Sequence, residues 1–309
     1  MTLRAVHGVA PPAEGELVVV VGPTASGKTE LALRLAEAWD GEIVSADSVQ
    51  IYQRFELGSG KPTTEERARA PHHLIDAIDP LAPMDAGRYA ALADEAVATI
   101  RARGRVPILC GGTFLWVKAL VSGLVEAAPR DEALREEHRA IAEREGRAAL
   151  HARLAAIDPG SAARLAPNDL VRVSRALEIH ALTGRPMSAW HAEHGFRSER
   201  HPRRLVGVAR AREALDRRIE ARVRGWLEMG WVDEVRAMLV DGLGGARAMG
   251  SVGFREVREH VEGRLTEAEL VPAIVRSTRV FVRRQRTWLR DANVAWIDLD
   301  GEPGASTPA

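Results

Sequence analysis

Cysteine is almost absent from this 309-residue chain: Cys110 stands alone. One thiol closes no intrachain disulfide and builds no multi-cysteine zinc site, which points to a reducing compartment. Lysine is nearly as scarce. Lys28, Lys61 and Lys118 are the only lysines, although lysine and arginine together number 43. Acidic residues also number 43, so the formal net charge is zero and no global field argues for or against a polyanionic partner. No apolar run reaches the roughly 18 residues of a membrane span. Residues 1–16, rich in Pro, Ala and Gly, hold no apolar stretch of signal-peptide length. These absences together lead to the expectation of a cytoplasmic protein without a membrane partner. What remains is an ordinary globular composition, sufficient for one large core or two smaller ones.

Against that background the octapeptide Gly22-Pro23-Thr24-Ala25-Ser26-Gly27-Lys28-Thr29 stands out. It fits the phosphate-loop pattern G-x-x-x-x-G-K-[ST] without a mismatch. The apolar run 17–21 before it reads as a buried strand, and the amphipathic stretch 29–39 after it reads as a helix. A strand feeding a helix through a glycine-rich turn aims backbone N–H groups at an anion. Lys28 then neutralises the outer phosphates and the Thr29 hydroxyl holds Mg²⁺. A lysine retained in an arginine-rich chain suits a point charge rather than a planar fork.

Further strand-like runs at 43–46, 106–110, 205–209 and 294–299 alternate with helix-like stretches, which predicts a parallel α/β sheet wrapped by helices. Strand signals vanish between about 130 and 201, where Leu134, His138, Ile141, Leu150, Leu154 and Ile157 recur at helical spacing and Asp169 is a plausible cap. The expected organisation is a flexible N-terminal tail over 1–16, a P-loop NTPase-like α/β core over 17–129 and 202–299, an all-α insertion domain over 130–201, and a flexible C-terminal tail over 300–309.

Ligands in parallel sheets sit beyond the carboxyl ends of the strands. Asp47 follows the second strand and Thr113 follows the 106–110 strand, so both are expected at the edge that carries the phosphate loop. Asp47 is either a general base or metal ligand, or a turn cap. Ser48 and Gln50 suit a base edge or an ordinary polar loop. Gly111-Gly112-Thr113 reads as a close backbone approach or as a plain strand-to-helix turn. Arg218 and Arg222, four apart beside Arg217, share a helix face, either to clamp a leaving diphosphate or to pair with Asp216 and Glu220. Residues 276–290 carry six arginines and no acid, a basic face that is either solvated or RNA-directed. His72 and His73 lack metal-ligand spacing, so packing or hydrogen bonding is expected of them. Leu74-Ile75-Asp76 is a poor Walker B strand. A phosphate loop without hydrolysis apparatus suits a phosphate that serves as a handle or leaving group.

In order along the chain, GPTASGKT (22–29), DSVQIY (47–52), GKP (60–62), HHLID (72–76), GGT (111–113), NDLVRVSRALE (168–178), SVGFRE (251–256) and RRQRTWLR (283–290) resemble the tRNA dimethylallyltransferase family. The resemblance spans nearly the whole chain, from about residue 18 to 290. It implies transfer of a dimethylallyl group from dimethylallyl diphosphate to N6 of adenosine 37, beside the anticodon of tRNA, by a monomer of the bacterial type. It implies further that the loop, built like an ATP site, binds the donor's diphosphate with Mg²⁺ as cofactor, that Lys28 and Thr113 serve at the reaction centre, and that Asp47 is the general base. Asp47, Ser48, Val49, Gln50 and Thr113 match tRNA-contacting positions. So do Arg135, the stretch Val171, Arg172, Val173, Ser174 and Arg175, and the stretch Gly250, Ser251, Val252, Gly253, Phe254 and Arg255. The last such stretch is Arg283, Arg284, Gln285, Arg286, Thr287, Trp288, Leu289 and Arg290. The chain departs from the family at Val171, often Gln; at Phe114 and Trp116, usually Gly and Tyr; and at Phe254, commonly Tyr. The rivals are a small-molecule or nucleotide kinase, which would consume ATP, and a non-catalytic nucleotide-dependent RNA-binding module.

Overall fold

The structure is a computed structural model that describes residues 4–124, 130–194, 199–290 and 292–299. The chain divides into two compact units, one formed by 1–121 with 200–309 and the other by 122–199. The second unit therefore starts some residues before the expected 130 and ends just before the expected 201. The expected tail over 300–309 lies outside the described residues.

The first unit is built on six parallel strands: β1 (Leu17–Val21), β2 (Gly41–Ala46), β3 (His72–His73), β4 (Val106–Gly111), β5 (Arg203–Ala209) and β6 (Val294–Asp298), in the order β3-β2-β4-β1-β5-β6. Strand β1 is all Leu and Val and is wholly buried, as a central parallel strand covered on both faces must be. On one face α1 (Lys28–Trp39) sets Leu31, Leu35 and Trp39 against Val18, Val20, Ile43, Ile108, Val206 and Val208. Helices α2 (Thr64–Arg69), α3 (Ala86–Ala102) and α4 (Phe114–Ser122) complete the first half. Tyr89 of α3 is buried, donates its hydroxyl to the Ser45 carbonyl at 2.9 Å and stacks on Trp116 with centroids 4.4 Å apart. Trp116, a departure from the family, is thus a core residue.

The two-residue β3 was not legible as a strand. His73 is anchored there by Glu42 at 2.6 Å, and His72 Nδ1 donates to the Ala70 carbonyl at 2.8 Å. Both histidines make local structural contacts, as expected. Residues 4–16, expected as a flexible tail, instead pack on the unit: Val9 is buried, the Trp39 indole donates to the Arg4 carbonyl, and Arg101 donates to the Gly15 carbonyl.

The second unit is helical: α5 (Glu132–Glu145), α6 (Arg147–Ile157), α7 (Pro159–Ala162), α8 (Leu170–Thr183) and α9 (Met187–His194). Ile141, Leu150, Leu154, Val173 and Leu177 form its own core. Asp169 caps α8 through the Arg172 N–H at 3.2 Å. After β5 the first unit resumes with α10 (Arg212–Glu228), α11 (Trp231–Val240), α12 (Phe254–Val261) and α13 (Glu267–Arg290). Trp231 sits between two glycines. A Cβ on Gly58 would lie 2.0 Å from its ring, and one on Gly253 would lie 2.4 Å away.

Candidate functional site

Strand β1 delivers the chain into the loop at Gly22, where a Cβ would meet Ser26 Oγ at 2.7 Å. Gly27 turns it into α1 with φ +103°, a conformation that glycine adopts without strain. Two loop carbonyls are drawn outward, Ala25 O by Arg218 Nε at 2.9 Å and Ser26 O by Arg210 Nε at 3.0 Å. The N–H groups of Gly27, Lys28, Thr29 and Glu30 have no protein acceptor among the described residues, because the first intrahelical bond runs from Leu31 to Gly27. Ser26 Oγ is buried and likewise without a partner. Amides without a protein acceptor at a helix N-terminus suit an anion.

Positive charge converges on the loop. Burial pushes the Lys28 ammonium below the ordinary lysine range, with the Asp47 carboxylate opposing and Arg222 adding to the fall. Burial also brings the Arg222 guanidinium down to about 10, with Asp47 opposing and Arg218 adding to the fall. Arg222 lies over the Trp226 ring at 4.5 Å. The acids that the sequence offered these arginines are engaged elsewhere: Asp216 accepts from Arg279 at 3.0 Å and Glu220 from Arg224 at 2.7 Å. Arg218 braces the loop, whereas Arg222 is a half-buried cation attracted by Asp47. Cys110, pushed up to about 11 by burial, is a neutral thiol near pH 7.

Of the roles read for Asp47, the cap is made, through one carboxylate oxygen. Its Oδ1 accepts from Val49 N–H at 2.9 Å and Gln50 N–H at 3.3 Å, the turn cap. Among the described residues Oδ2 accepts nothing and is left for chemistry. Thr113 is brought beside it: Thr113 Oγ1 accepts from Ser48 N–H at 3.0 Å, and Thr113 N–H donates to Ala46 O at 3.1 Å. The glycines before Thr113 are close approaches. A Cβ on Gly111 would lie 2.3 Å from Ala46 O, and one on Gly112 would lie 2.4 Å from Gln285 Nε2. The Gln50 amide is engaged internally, by Ser45 Oγ at 3.1 Å and by donation to Gly60 O at 2.7 Å.

The remaining candidate positions separate by exposure. On α13, Arg283, Arg284, Thr287, Trp288 and Arg290 are exposed, Arg286 is half-buried, and Gln285 and Leu289 are buried. Trp288 is 44% exposed, with Phe114 stacked at 6.3 Å and Lys118 over its ring at 4.7 Å. Phe254, next to Gly253, is a core residue set edge-on against Phe55 and Trp231. Arg255 pairs with Glu256, and Ser251 donates to Ala248 O. Gly250 is exposed, while Ser251 and Val252 are half-buried. In the helical unit, Arg135 and Arg175 grip the buried Glu178 at 2.9 and 2.5 Å; burial opposes, but their hydrogen bonds hold its carboxyl down at about 2. Arg172 pairs with Asp169, the His138 ring is hydrogen-bonded to the Ser174 hydroxyl, and Val171 is exposed. Arg210, which supports the loop from 184 residues away, was missed. Nothing local marks it, since it sits in an unremarkable strand end.

For Mg²⁺ the available donor is the Thr29 hydroxyl, which makes no protein hydrogen bond among the described residues and lines a recess with Ser45 and Gln50. The described residues contain no group of three or more His, Cys, Asp or Glu side chains arranged to hold a metal. That set fits a magnesium ion carried mainly by phosphate oxygens and water, and would not fit a metal held by protein alone.

Comparison with known proteins agrees with this geometry. Residues 50–292 match the model of the IPP transferase family. The chain is 72% identical to a tRNA dimethylallyltransferase of Sorangium cellulosum (strain So ce56) over 94% of its length and 93% of that protein. It is 45% identical to one of Geobacter metallireducens (strain ATCC 53774 / DSM 7210 / GS-15) over 93% of both. Among solved structures, the tRNA isopentenylpyrophosphate transferase of Bacillus halodurans superposes with a TM-score of 0.68 at 36% identity, covering 92% of this chain and 90% of that one. On this sequence match, carried across nearly the full length and supported by the structural match, the chain belongs to the IPP transferase family.

Proposed function

We infer that this protein is an enzyme that transfers the dimethylallyl group of dimethylallyl diphosphate to N6 of adenosine 37 of tRNA. The observation that carries the reading is the convergence at one sheet edge of an anion cradle, the half-buried cations Lys28 and Arg222, and a carboxylate oxygen of Asp47 beside Thr113. The relatives named as tRNA dimethylallyltransferases supply the substrates.

The adenine N6 lone pair is delocalised into the ring, so the amine is a weak nucleophile. As the N6–C bond forms, Asp47 Oδ2 takes the N6 proton, a role worth about 10²–10⁴-fold. The allylic C–O bond breaks and its electron pair leaves with the diphosphate. Lys28, Arg222 and the N–H groups at the start of α1 stabilise the charge that grows there. The Thr29 hydroxyl would hold a Mg²⁺ ion, which would supply further neutralisation. Thr113, fixed against Ser48, offers its hydroxyl to the base next to Asp47. The target adenine must leave its stack, which costs a few kcal/mol and least in a single-stranded loop. The exposed arginines and Trp288 of α13 suit contacts to phosphates and bases of the RNA, and in the helical unit Arg172, exposed beside Val171, suits the same use.

The test is incubation with unmodified tRNA, Mg²⁺ and dimethylallyl diphosphate without ATP, followed by nucleoside mass spectrometry. A gain of one prenyl unit on adenosine is expected. Asp47→Ala should lose about 10²-fold or more in turnover with tRNA affinity nearly intact. ATP-dependent phosphorylation of a small acceptor, with no prenyl gain, would replace this reading with the kinase.

A further inference from the structure

One buried side chain of α13 faces away from the helix's exposed arginines and reaches both loops of the site. Gln285 is 3% exposed. Its Oε1 accepts the Thr24 N–H of the phosphate loop at 2.8 Å, and its Nε2 donates to the Gly112 carbonyl at 3.3 Å. A primary amide can make this pair of bonds in one orientation only, since the flipped form would set N–H against N–H and oxygen against carbonyl oxygen. Gly112 is part of the arrangement. A Cβ there would stand 2.4 Å from Nε2, so only glycine leaves the amide room.

The two bonds span the reaction. Thr24 belongs to the loop that receives the diphosphate. Gly112 is bonded to Thr113, whose hydroxyl holds the turn of Ser48 that follows Asp47. Strands β1 and β4 are adjacent in the sheet, so their following loops lie side by side. Gln285 fixes the gap between them, and it does so from the helix that carries Arg283, Arg284 and Arg286.

We propose that Gln285 is a positioning residue for prenyl transfer: it sets the separation between the leaving diphosphate and the acceptor base, and lets RNA contacts on α13 act on that separation. This rests on the transferase reading above. The role is one of positioning rather than substrate contact, since Gln285 is 3% exposed and each end of its amide is engaged within the protein. Its removal should therefore lower turnover while binding persists. Misplacement of reacting groups by about 1 Å costs on the order of 10²-fold.

The test uses the full chain with Gln285→Glu and Gln285→Leu, and Gly112→Ala as an approach from the other side. Glutamate keeps the volume and the acceptor for Thr24 but sets a carboxylate oxygen against Gly112 O. Wild-type prenyl transfer is measured in parallel, so failure of the transferase reading shows as an inactive wild type. Expected is a fall in kcat of about 10–100-fold for each variant, with donor KM and tRNA Kd within about twofold of wild type. Gly112→Ala combined with Gln285→Leu should be no worse than the poorer single variant, since both break one bridge. A raised tRNA Kd with kcat preserved would assign Gln285 to RNA contact and overturn the proposal. A lowered melting temperature with unchanged kcat below it would overturn it as plain packing. Should Gln285→Leu fail to fold, Gln285→Glu and Gly112→Ala carry the same decision.

Discussion

Replacing Arg222 with methionine is expected to make the ligand-free protein more stable and the enzyme worse. Burial brings the guanidinium down to about 10, and Asp47 offsets this only in part. The fall from the ordinary arginine range corresponds to a penalty on the charged form of about 3 kcal/mol. Methionine removes the charge and fills much of the same volume. It forfeits the stacking of the cation over Trp226 at 4.5 Å, worth about 0.5–1 kcal/mol; the attraction to Asp47 is already contained in the net fall. A net gain of about 1–2 kcal/mol in ligand-free stability should remain, or a few degrees in melting temperature. Against this, a charge-assisted contact to the diphosphate contributes about 1.5–3 kcal/mol, so donor KM should rise by about 10–100-fold. Urea unfolding without ligands and initial rates against dimethylallyl diphosphate at saturating tRNA measure the two arms. A variant that is less stable than wild type yet keeps its donor KM would refute the argument, because Arg222 would then be a structural cation.

Two further outcomes follow from the geometry. Gly58→Ala should cost about 2–4 kcal/mol in urea unfolding, because φ is +70° and the new methyl would stand 2.0 Å from the Trp231 ring; a loss under about 0.5 kcal/mol would show that the loop moves aside freely. Burial holds the His72 imidazole below its ordinary range, the Ala70 carbonyl opposing and Arg67 adding to the fall. The unfolded chain then binds the proton first, so this contribution to stability is complete above about pH 6.5 and is lost as pH falls below it. Unfolding midpoints at pH 7.5 and 5.5 should diverge more in wild type than in His72→Asn; equal divergence would remove His72 from the account.

The glycine-rich turn between β1 and α1 was legible because everything that defines it is local: two glycines at fixed spacing, a lysine, and an apolar run that needs burial on both faces. The alternation of strands and helices was legible for the same reason, and Asp169 announced itself as a cap. The two readings of Asp47 proved compatible, since a carboxylate has two oxygens and the turn engages one. What stayed hidden depends on distance along the chain. Thr24 meets Gln285 across 261 residues, and Ser26 meets Arg210 across 184. In the sequence Gln285 is one polar residue within an arginine-rich helix, and the family resemblance sets it among tRNA-contacting positions. Its burial follows from the helical phase that also buries Val282 and Leu289. The arginines 135 and 175 were legible as basic but not as partners of Glu178, because a charge shows its sign in a sequence and not its neighbour.

Trp231 has a consequence for how this protein can change. Its indole fills a slot walled by Gly58 and Gly253, which come from loops far apart in the chain. A side chain at either glycine is barred while the tryptophan stays, and a smaller residue at 231 opens a void while the glycines stay. Single steps from this arrangement all lead downhill, so the three positions should drift together or not at all, and a chimera that takes residues 50–62 from one relative and 225–255 from another should fail wherever the donors differ at any of them.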